Sequence, residues 1–119
     1  MKNLSPESDL RALSRALKAF NHERDWEQFH SPKNLAICLS IEASEVLERF
    51  LWLGDEEAIS ADNKARIGEE AADVLISLLN LCERAEIDLP NAFADKLAKN
   101  AEKYPVEHAK GSRAKYSDL

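Results

Sequence analysis

The chain has 119 residues and a formal net charge of -6, with 22 acidic residues against 16 lysines and arginines. A chain of this length is expected to form one domain over residues 1–119 and to bury roughly two-thirds of the surface that its unfolded form exposes. The negative charge argues against a protein that grips a nucleic-acid backbone directly, because such proteins neutralise phosphates with Lys and Arg.

The first predicted helix begins at Ser5-Pro6-Glu7 and ends near Arg24. Ser is a favoured N-cap, Pro suits the first helical position, and an acid suits the first turn. The apolar residues that follow recur at helical spacing, namely Leu10, Leu13, Leu17 and Phe20. This apolar stripe requires a partner surface.

A polar and aromatic segment without clear periodicity, Asp25 to His30, is predicted as a loop. Trp26, Phe29 and His30 lie in it, and large side chains in such a place often close the end of a helix bundle. The alternative is a wall that stacks on a base and hydrogen-bonds to it beside a functional site. The residues alone leave both interpretations open.

The second predicted helix runs from Pro32 to about Leu53, with Ser31 as N-cap and Gly54 as a plausible C-cap. It carries Glu42 and Glu45 inside a mostly apolar run. Residues three apart lie on one face of a helix, so both carboxylates project in the same direction. The acids that follow, including Asp55 to Glu57, are better explained as a solvated surface.

The third predicted helix begins with Asp62 or Asn63 as its cap and reaches about Ala85. It repeats the acidic spacing with Glu70 and Asp73, and Ser77 lies on the same face. Burying four like charges together is prohibitive unless cations neutralise them, and oxygen ligands suit Mg²⁺, Mn²⁺ or Ca²⁺. We therefore predict a divalent metal site between the second and third helices.

The fourth predicted helix begins around Leu89-Pro90 and reaches Tyr104. Its charge is reversed, because three lysines share one side with Asn100, namely Lys96, Lys99 and Lys103. These lysines form either an ordinary solvated helix face or a surface for a polyphosphate. Residues 105–119 are predicted to be an irregular tail.

The cysteines and the hydropathy pattern indicate a cytoplasmic protein. Cys38 and Cys82 lie far apart in apolar helical runs, which is typical of reduced core thiols rather than of a disulfide framework. The N-terminus lacks an apolar signal core, and no apolar run approaches the ~20 residues of a membrane span.

Several blocks of the sequence resemble the all-α MazG-like nucleoside triphosphate pyrophosphohydrolases, and among them most closely the dCTP pyrophosphatases. The spaced acids Glu42-x-x-Glu45 and Glu70-x-x-Asp73 match the metal-binding signature of that superfamily. The other matching blocks are ERDWEQFHSPKNL at 23–35, Trp52, EEAADVLISLL at 69–79, Ile87-Asp-Leu-Pro90, Lys99-Asn100 and Lys103-Tyr104-Pro105. The resemblance covers nearly the whole chain.

The resemblance implies an all-α, four-helix MazG-like bundle in which the second and third helices carry the metal site. It also implies Mg²⁺-dependent hydrolysis, with Mn²⁺ as a possible substitute, between the α and β phosphates of a deoxynucleoside triphosphate. The implied ligands are Glu42, Glu45, Glu70 and Asp73, and either Glu42 or Glu45 would take the proton of the attacking water. The implied substrate contacts are Trp26, His30 and Trp52 for the base, and Lys96, Asn100, Lys103 and Tyr104 for the phosphates or sugar.

Two positions depart from the pattern of similar dCTP-cleaving proteins. Leu17 stands where they tend to have His, and Ser77 stands where they tend to have Tyr. Because both positions lie near the expected base pocket, we predict that a cytosine deoxynucleotide remains the leading substrate with altered or broader tolerance, including 5-substituted bases. The metal chemistry is untouched by these departures.

The resemblance also implies a homodimer, or a homotetramer formed by two dimers, in which a neighbouring subunit completes the pocket. Helices that are apolar over wide faces support self-association on physical grounds. The main alternative is a non-enzymatic helical interaction module whose acids line a groove. A second alternative is a phosphohydrolase that releases orthophosphate.

Overall fold

Helices account for the regular secondary structure. The computed structural model describes residues 9–119, and this part of the chain contains no strand. Its four long helices are α1 (Leu10–Glu23), α2 (Pro32–Glu48), α4 (Ala61–Arg84) and α5 (Leu89–Lys103). Two four-residue helices, α3 (Asp55–Ala58) and α6 (Val106–Ala109), and 3-10 turns at Glu27–Phe29 and Tyr116–Asp118 complete it. The predicted all-α class is confirmed.

A side-chain cap begins each of the four long helices. The backbone N–H groups of Ala12, Asn34, Asn63 and Asn91 donate to the side chains of Asp9, Ser31, Ser60 and Asp88, at 2.8, 3.1, 3.4 and 3.2 Å. The predicted caps of the third long helix, Asp62 and Asn63, are therefore wrong, because Ser60 precedes both and satisfies the free amide. The start predicted at Ser5 to Glu7 lies outside the described residues.

Helix α2 ends five residues before its predicted end at Leu53. Arg49 is its C-cap, and the chain continues in tight turns in which Trp52 takes a positive φ of 65°. Gly54 has an extended backbone and precedes α3, so it is not the C-cap of α2. The helix that carries the acid pair therefore does not extend to Trp52, and the Asp55 to Glu57 run, predicted as solvated surface, forms most of α3.

The side chain of Asn63 holds this connection in place. Its Nδ2 donates to the carbonyl oxygens of Arg49 at 2.9 Å and of Ala58 at 2.8 Å. These carbonyls belong to the ends of α2 and α3, where backbone acceptors lack partners within the helix. One amide therefore fixes where three helices meet.

Asn63→Ala is expected to lower the free energy of unfolding by about 2 kcal/mol, because two partly buried carbonyls lose their donor. Urea denaturation at pH 7 measures this change. Asn63→Asp should cost at least as much, since it directs a carboxylate at two carbonyl oxygens. A tolerated Asp would contradict this role of the amide.

Helices α2 and α4 run antiparallel and pack against each other, with α1 and α3 also against α4. Arg84, at the end of α4, donates from Nε to the carbonyl of His30 before α2 begins, at 2.8 Å. The buried apolar residues among those described are few, namely Leu35, Ala58, Leu79 and Cys82. The antiparallel pairing places the acidic stretches of α2 and α4 opposite each other.

The two cysteines have different surroundings. Cys82 is buried, and this burial raises the pKa of its thiol. Cys38 is exposed, so the prediction that both are core thiols is wrong for Cys38. The apolar run around Cys38 predicted burial wrongly, because many apolar side chains of α2 are exposed to solvent. Ile37 is 48% exposed and Ile41 is 52% exposed.

The chain divides into two compact units, Met1–Ile87 and Asp88–Leu119. Helices α1 to α4 belong to the first unit, and α5, α6 and the last 3-10 turn belong to the second. Residues 105–119, which were predicted to be an irregular tail, belong to the second unit and contain two short helical turns. None of the described helices combines the length and apolar character needed to cross a membrane.

Candidate active site

The four predicted acids meet between α2 and α4. Each offers an oxygen, and these atoms all lie within 4.8 Å of one another, although the four residues come from two separate stretches of sequence. Glu42, Glu45 and Glu70 are half-buried, and Asp73 is exposed. An ion with metal–oxygen distances of about 2.1 Å holds oxygens at separations up to roughly twice that value. Small side-chain adjustments would therefore let the four acids share a divalent cation.

The electrostatics of this cluster favour added positive charge. A hydrogen bond with Glu42, followed by the negative charge of Glu42, raises the pKa of Glu45 to about 6, and Glu70 adds to the effect. One carboxylate oxygen, Glu42 Oε2, is fully enclosed and has no hydrogen-bond partner among the described residues. A buried oxygen of this kind needs a partner. The donor set and this unpaired oxygen fit a divalent metal ion.

A cation of the chain itself already touches the cluster. The Arg49 Nη2 atom lies 3.2 Å from Glu70 Oε1, and both side chains are largely withdrawn from solvent. We had not predicted a role for Arg49. Its position was the available signal, since it follows Glu45 by four residues and Glu42 by seven, which places it on the same helix face.

A cavity of about 730 Å³ begins beside Glu42 and extends between α1, α2 and α4. Trp26 and His30, two of the predicted base contacts, line it. Leu17 and Ser77 line it too, so both departures from the dCTP-cleaving pattern face the same space. Most of the wall is apolar, which suits the faces of a heterocyclic ring.

Trp52 does not line this cavity. Its side chain is 98% exposed, on the turn between α2 and α3. Within one chain the structure therefore separates Trp52 from Trp26 and His30, with which it was predicted to act.

An interhelical pair of amides also lines the cavity. Asn21 of α1 is buried and donates from Nδ2 to Asn80 Oδ1 of α4, at 2.8 Å. Neither residue was predicted to belong to a site. The only signal for each was one polar residue within an apolar helical pattern, and a single residue of this kind is weak evidence for a site.

The residues predicted for the phosphates or sugar belong to α5 and its C-cap, in the second unit. Lys96, Asn100 and Lys103 follow one another at helical spacing. Lys103 Nζ lies 4.8 Å from the ring centroid of Tyr116, and the ring of Tyr104 meets that of Tyr116 edge-on at 6.1 Å. The structure therefore groups Lys103 and Tyr104 with an aromatic residue absent from the prediction.

Comparison with known proteins gives consistent matches. The sequence profile of the MazG-like family matches residues 37–119. The chain is 42% identical to dCTP pyrophosphatase 1 of Rattus norvegicus and 40% identical to that of Homo sapiens, in each case over 98% of this chain and 71% of the relative. A crystal structure of a pyrophosphatase from Archaeoglobus fulgidus DSM 4304 superimposes with a TM-score of 0.69 at 38% identity, covering 87% of this chain and 99% of that one.

Proposed function

Because the chain belongs to the MazG-like family, we propose that it is a nucleoside triphosphate pyrophosphohydrolase acting on a deoxynucleoside triphosphate. Water would attack the α phosphorus, the bond from that phosphorus to the bridging oxygen of the β phosphate would break, and the products would be the monophosphate and pyrophosphate. The family profile spans parts of both compact units, which supports one functional domain. The names of the relatives support this activity.

The observation that carries the proposal is the convergence of four carboxylates with an enclosed, unpaired oxygen on Glu42. We assign Glu42, Glu45, Glu70 and Asp73 as ligands of Mg²⁺, with Mn²⁺ as an alternative, because hard cations take oxygen ligands. When bound, Mg²⁺ neutralises the triphosphate and lowers the pKa of a coordinated water.

The chain itself supplies the proton acceptor and the positioning. Either Glu42 or Glu45 takes the proton from the attacking water, since both project from one face of α2. Arg49 holds Glu70 through its guanidinium contact and thereby fixes the α4 side of the site. Lys96, Asn100 and Lys103 of α5, and Tyr104 at its C-cap, are assigned to the phosphates or sugar, because Lys is a common phosphate ligand.

A cytosine deoxynucleotide, dCTP or a 5-modified dCTP, is the proposed substrate. The dCTP pyrophosphatase relatives support cytosine. The cavity volume of about 730 Å³, with Leu17 and Ser77 in its wall, supports tolerance of a group at the 5 position. Trp26 and His30 would stack on the pyrimidine or bind its edge.

Product analysis over all common and 5-modified deoxynucleoside triphosphates, with and without Mg²⁺, tests the proposed function. Phosphorus NMR should show the monophosphate and pyrophosphate only when Mg²⁺ is present, fastest with cytosine nucleotides. Orthophosphate would indicate the alternative cut. No turnover of any nucleotide would favour the interaction module, and faster cleavage of purines would overturn the cytosine assignment.

We further propose a homodimer, or a tetramer of two dimers, in which Trp52 of one protomer completes the cavity of its partner. The nearly complete exposure of Trp52 and the exposed apolar side chains near it in the sequence support this arrangement, since exposed apolar surface of this extent marks an interaction site. Leu47, Leu51 and Ile59 are 61%, 48% and 63% exposed. A monomer by light scattering at micromolar concentration would contradict the proposal.

Trp52→Ala should raise the KM for dCTP by about fivefold or more, because losing one aromatic stacking partner typically costs about 1–3 kcal/mol. Far-UV circular dichroism should stay unchanged, since Trp52 contributes little to the packing of its own chain. Val106→Ala, at a position 71% exposed in the second unit, is the control. An unchanged KM in the Trp52 variant would remove Trp52 from the substrate site.

A further inference from the structure

The Asn21–Asn80 pair has unused hydrogen-bonding capacity. The single bond from Asn21 Nδ2 to Asn80 Oδ1 uses one donor and one acceptor. Asn21 Oδ1 and Asn80 Nδ2 form no hydrogen bond with a side chain or backbone group of residues 9–119. An Asn side chain can accept twice and donate twice, so the pair retains the carbonyl oxygen of Asn21 and the amino group of Asn80 for further hydrogen bonds.

These two groups are accessible rather than enclosed in the protein interior. Both residues line the cavity, and neither unused atom is among those that are fully enclosed and unpaired in the described chain. On the side of this cavity the wall is otherwise mainly apolar and includes Leu17, Leu75 and Leu79. The same pair also lines a second, smaller pocket of about 180 Å³, whose other residues are mostly charged. A polar ligand atom that approaches the pair from the larger cavity would therefore find few competing polar groups on that side.

The spacing between this pair and the acidic cluster matches a nucleotide. Asn80 follows Asp73 by seven residues on α4, which corresponds to about 10 Å along the helix. That is roughly the span from the α phosphorus of a nucleoside 5′-phosphate to the far edge of its base. A nucleotide with its phosphates at the acids would thus bring the base edge to the amides.

We propose that the Asn21–Asn80 pair reads the edge of the substrate base and requires a hydrogen-bond donor beside an acceptor there. This proposal rests on the proposed function. For cytosine, Asn21 Oδ1 accepts from the exocyclic amino group and Asn80 Nδ2 donates to the neighbouring ring nitrogen. A base that lacks one of these groups leaves a buried amide atom unpaired, which is costly in a site built for hydrogen bonding.

The decisive comparison uses dCTP and the matching triphosphate of 2-pyrimidinone, which lacks the exocyclic amino group. Wild-type protein should favour dCTP in kcat/KM by at least about tenfold, as expected for one lost hydrogen bond in a buried site. The double variant Asn21→Leu with Asn80→Leu should reduce this preference to less than about twofold. Replacing both partners by apolar groups of similar size is nearly neutral for folding.

Binding of the two monophosphates, measured by calorimetry without metal, provides a readout that does not depend on turnover. The cytosine monophosphate should bind wild type at least about tenfold more tightly than the 2-pyrimidinone monophosphate, and the double variant should bind both alike. If the pair only stabilises the fold, the double variant should have a changed melting temperature and should keep the wild-type preference for the cytosine monophosphate. That result, or equal binding of both monophosphates by wild type, would overturn the role of the amides.

Failure of the proposed function gives a different pattern. If wild type releases pyrophosphate from neither triphosphate yet binds the cytosine monophosphate preferentially, the amides select the base and the proposed reaction is wrong. If pyrophosphate is released from both at equal rates, the reaction stands and the amides do not select the base.

Discussion

Asp73→Asn is expected to lower Mg²⁺ affinity and pyrophosphate release by more than about 100-fold, while the metal-free protein stays folded. Removing a residue that merely orients a metal ligand costs 10–100-fold, so losing a charged ligand should cost more. Without metal, the same change removes one negative charge from a crowded cluster. The variant should therefore be as stable as wild type or more stable at pH 7. Calorimetric titration with Mg²⁺, a pyrophosphate assay and urea denaturation in chelator measure the three quantities.

Asp62→Asn is the matched control, since it makes the same change at an exposed position in the first turn of α4. It should leave Mg²⁺ binding and turnover within about twofold of wild type, as surface changes away from a site usually have small effects. An Asp73 variant with normal Mg²⁺ affinity and turnover would contradict the metal site. An Asp73 variant that unfolds in chelator would instead assign Asp73 to the fold.

The acid pairs could be predicted because their signal is local. Residues three apart share a helix face in any helix, and the apolar residues around Glu42 and Glu70 indicate which face turns inward. The antiparallel packing of α2 on α4 then brings the two faces together. The helix starts at Pro32 and Leu89 could be predicted for the same reason, because a capping residue and a proline close by in the sequence specify each of them.

The features that were missed depend on contacts between distant residues. Helix α2 ends early where the Asn63 amide, 14 residues further along the chain, binds the Arg49 carbonyl. Asn21 and Asn80 are separated by 59 positions, and no periodicity pairs two such residues. Cys38 looked like a core residue because an apolar run does not reveal which of its faces remains uncovered. Propensity and spacing describe one helix at a time, whereas these features arise from how helices meet.

Raising the pH should destabilise the metal-free protein through Glu45. In the folded protein Glu42, through a hydrogen bond and its charge, raises the pKa of Glu45 to about 6 from an ordinary 4.5. Between these values the folded state binds more protons than the unfolded state, so unfolding becomes easier as pH rises. The stabilisation is fully present below pH 4.5 and is lost as pH passes through 6. Urea denaturation in chelator from pH 4 to 8, compared with Glu45→Gln, isolates this contribution.

Glu45→Gln carries a neutral side chain at every pH, so it should be more stable than metal-free wild type above pH 6. The two proteins should converge below about pH 4.5, where the wild-type carboxyl is protonated in both the folded and unfolded states. Glu48→Gln, which makes the same change at an exposed position of the same helix, is the matched control. At pH 7, Mg²⁺ at 100 times its Kd should raise the free energy of unfolding of wild type by about 2.7 kcal/mol. It should not stabilise Glu45→Gln to a comparable extent. A constant difference between wild type and Glu45→Gln across this pH range would show that Glu45 is not under the repulsion from which the metal site is inferred.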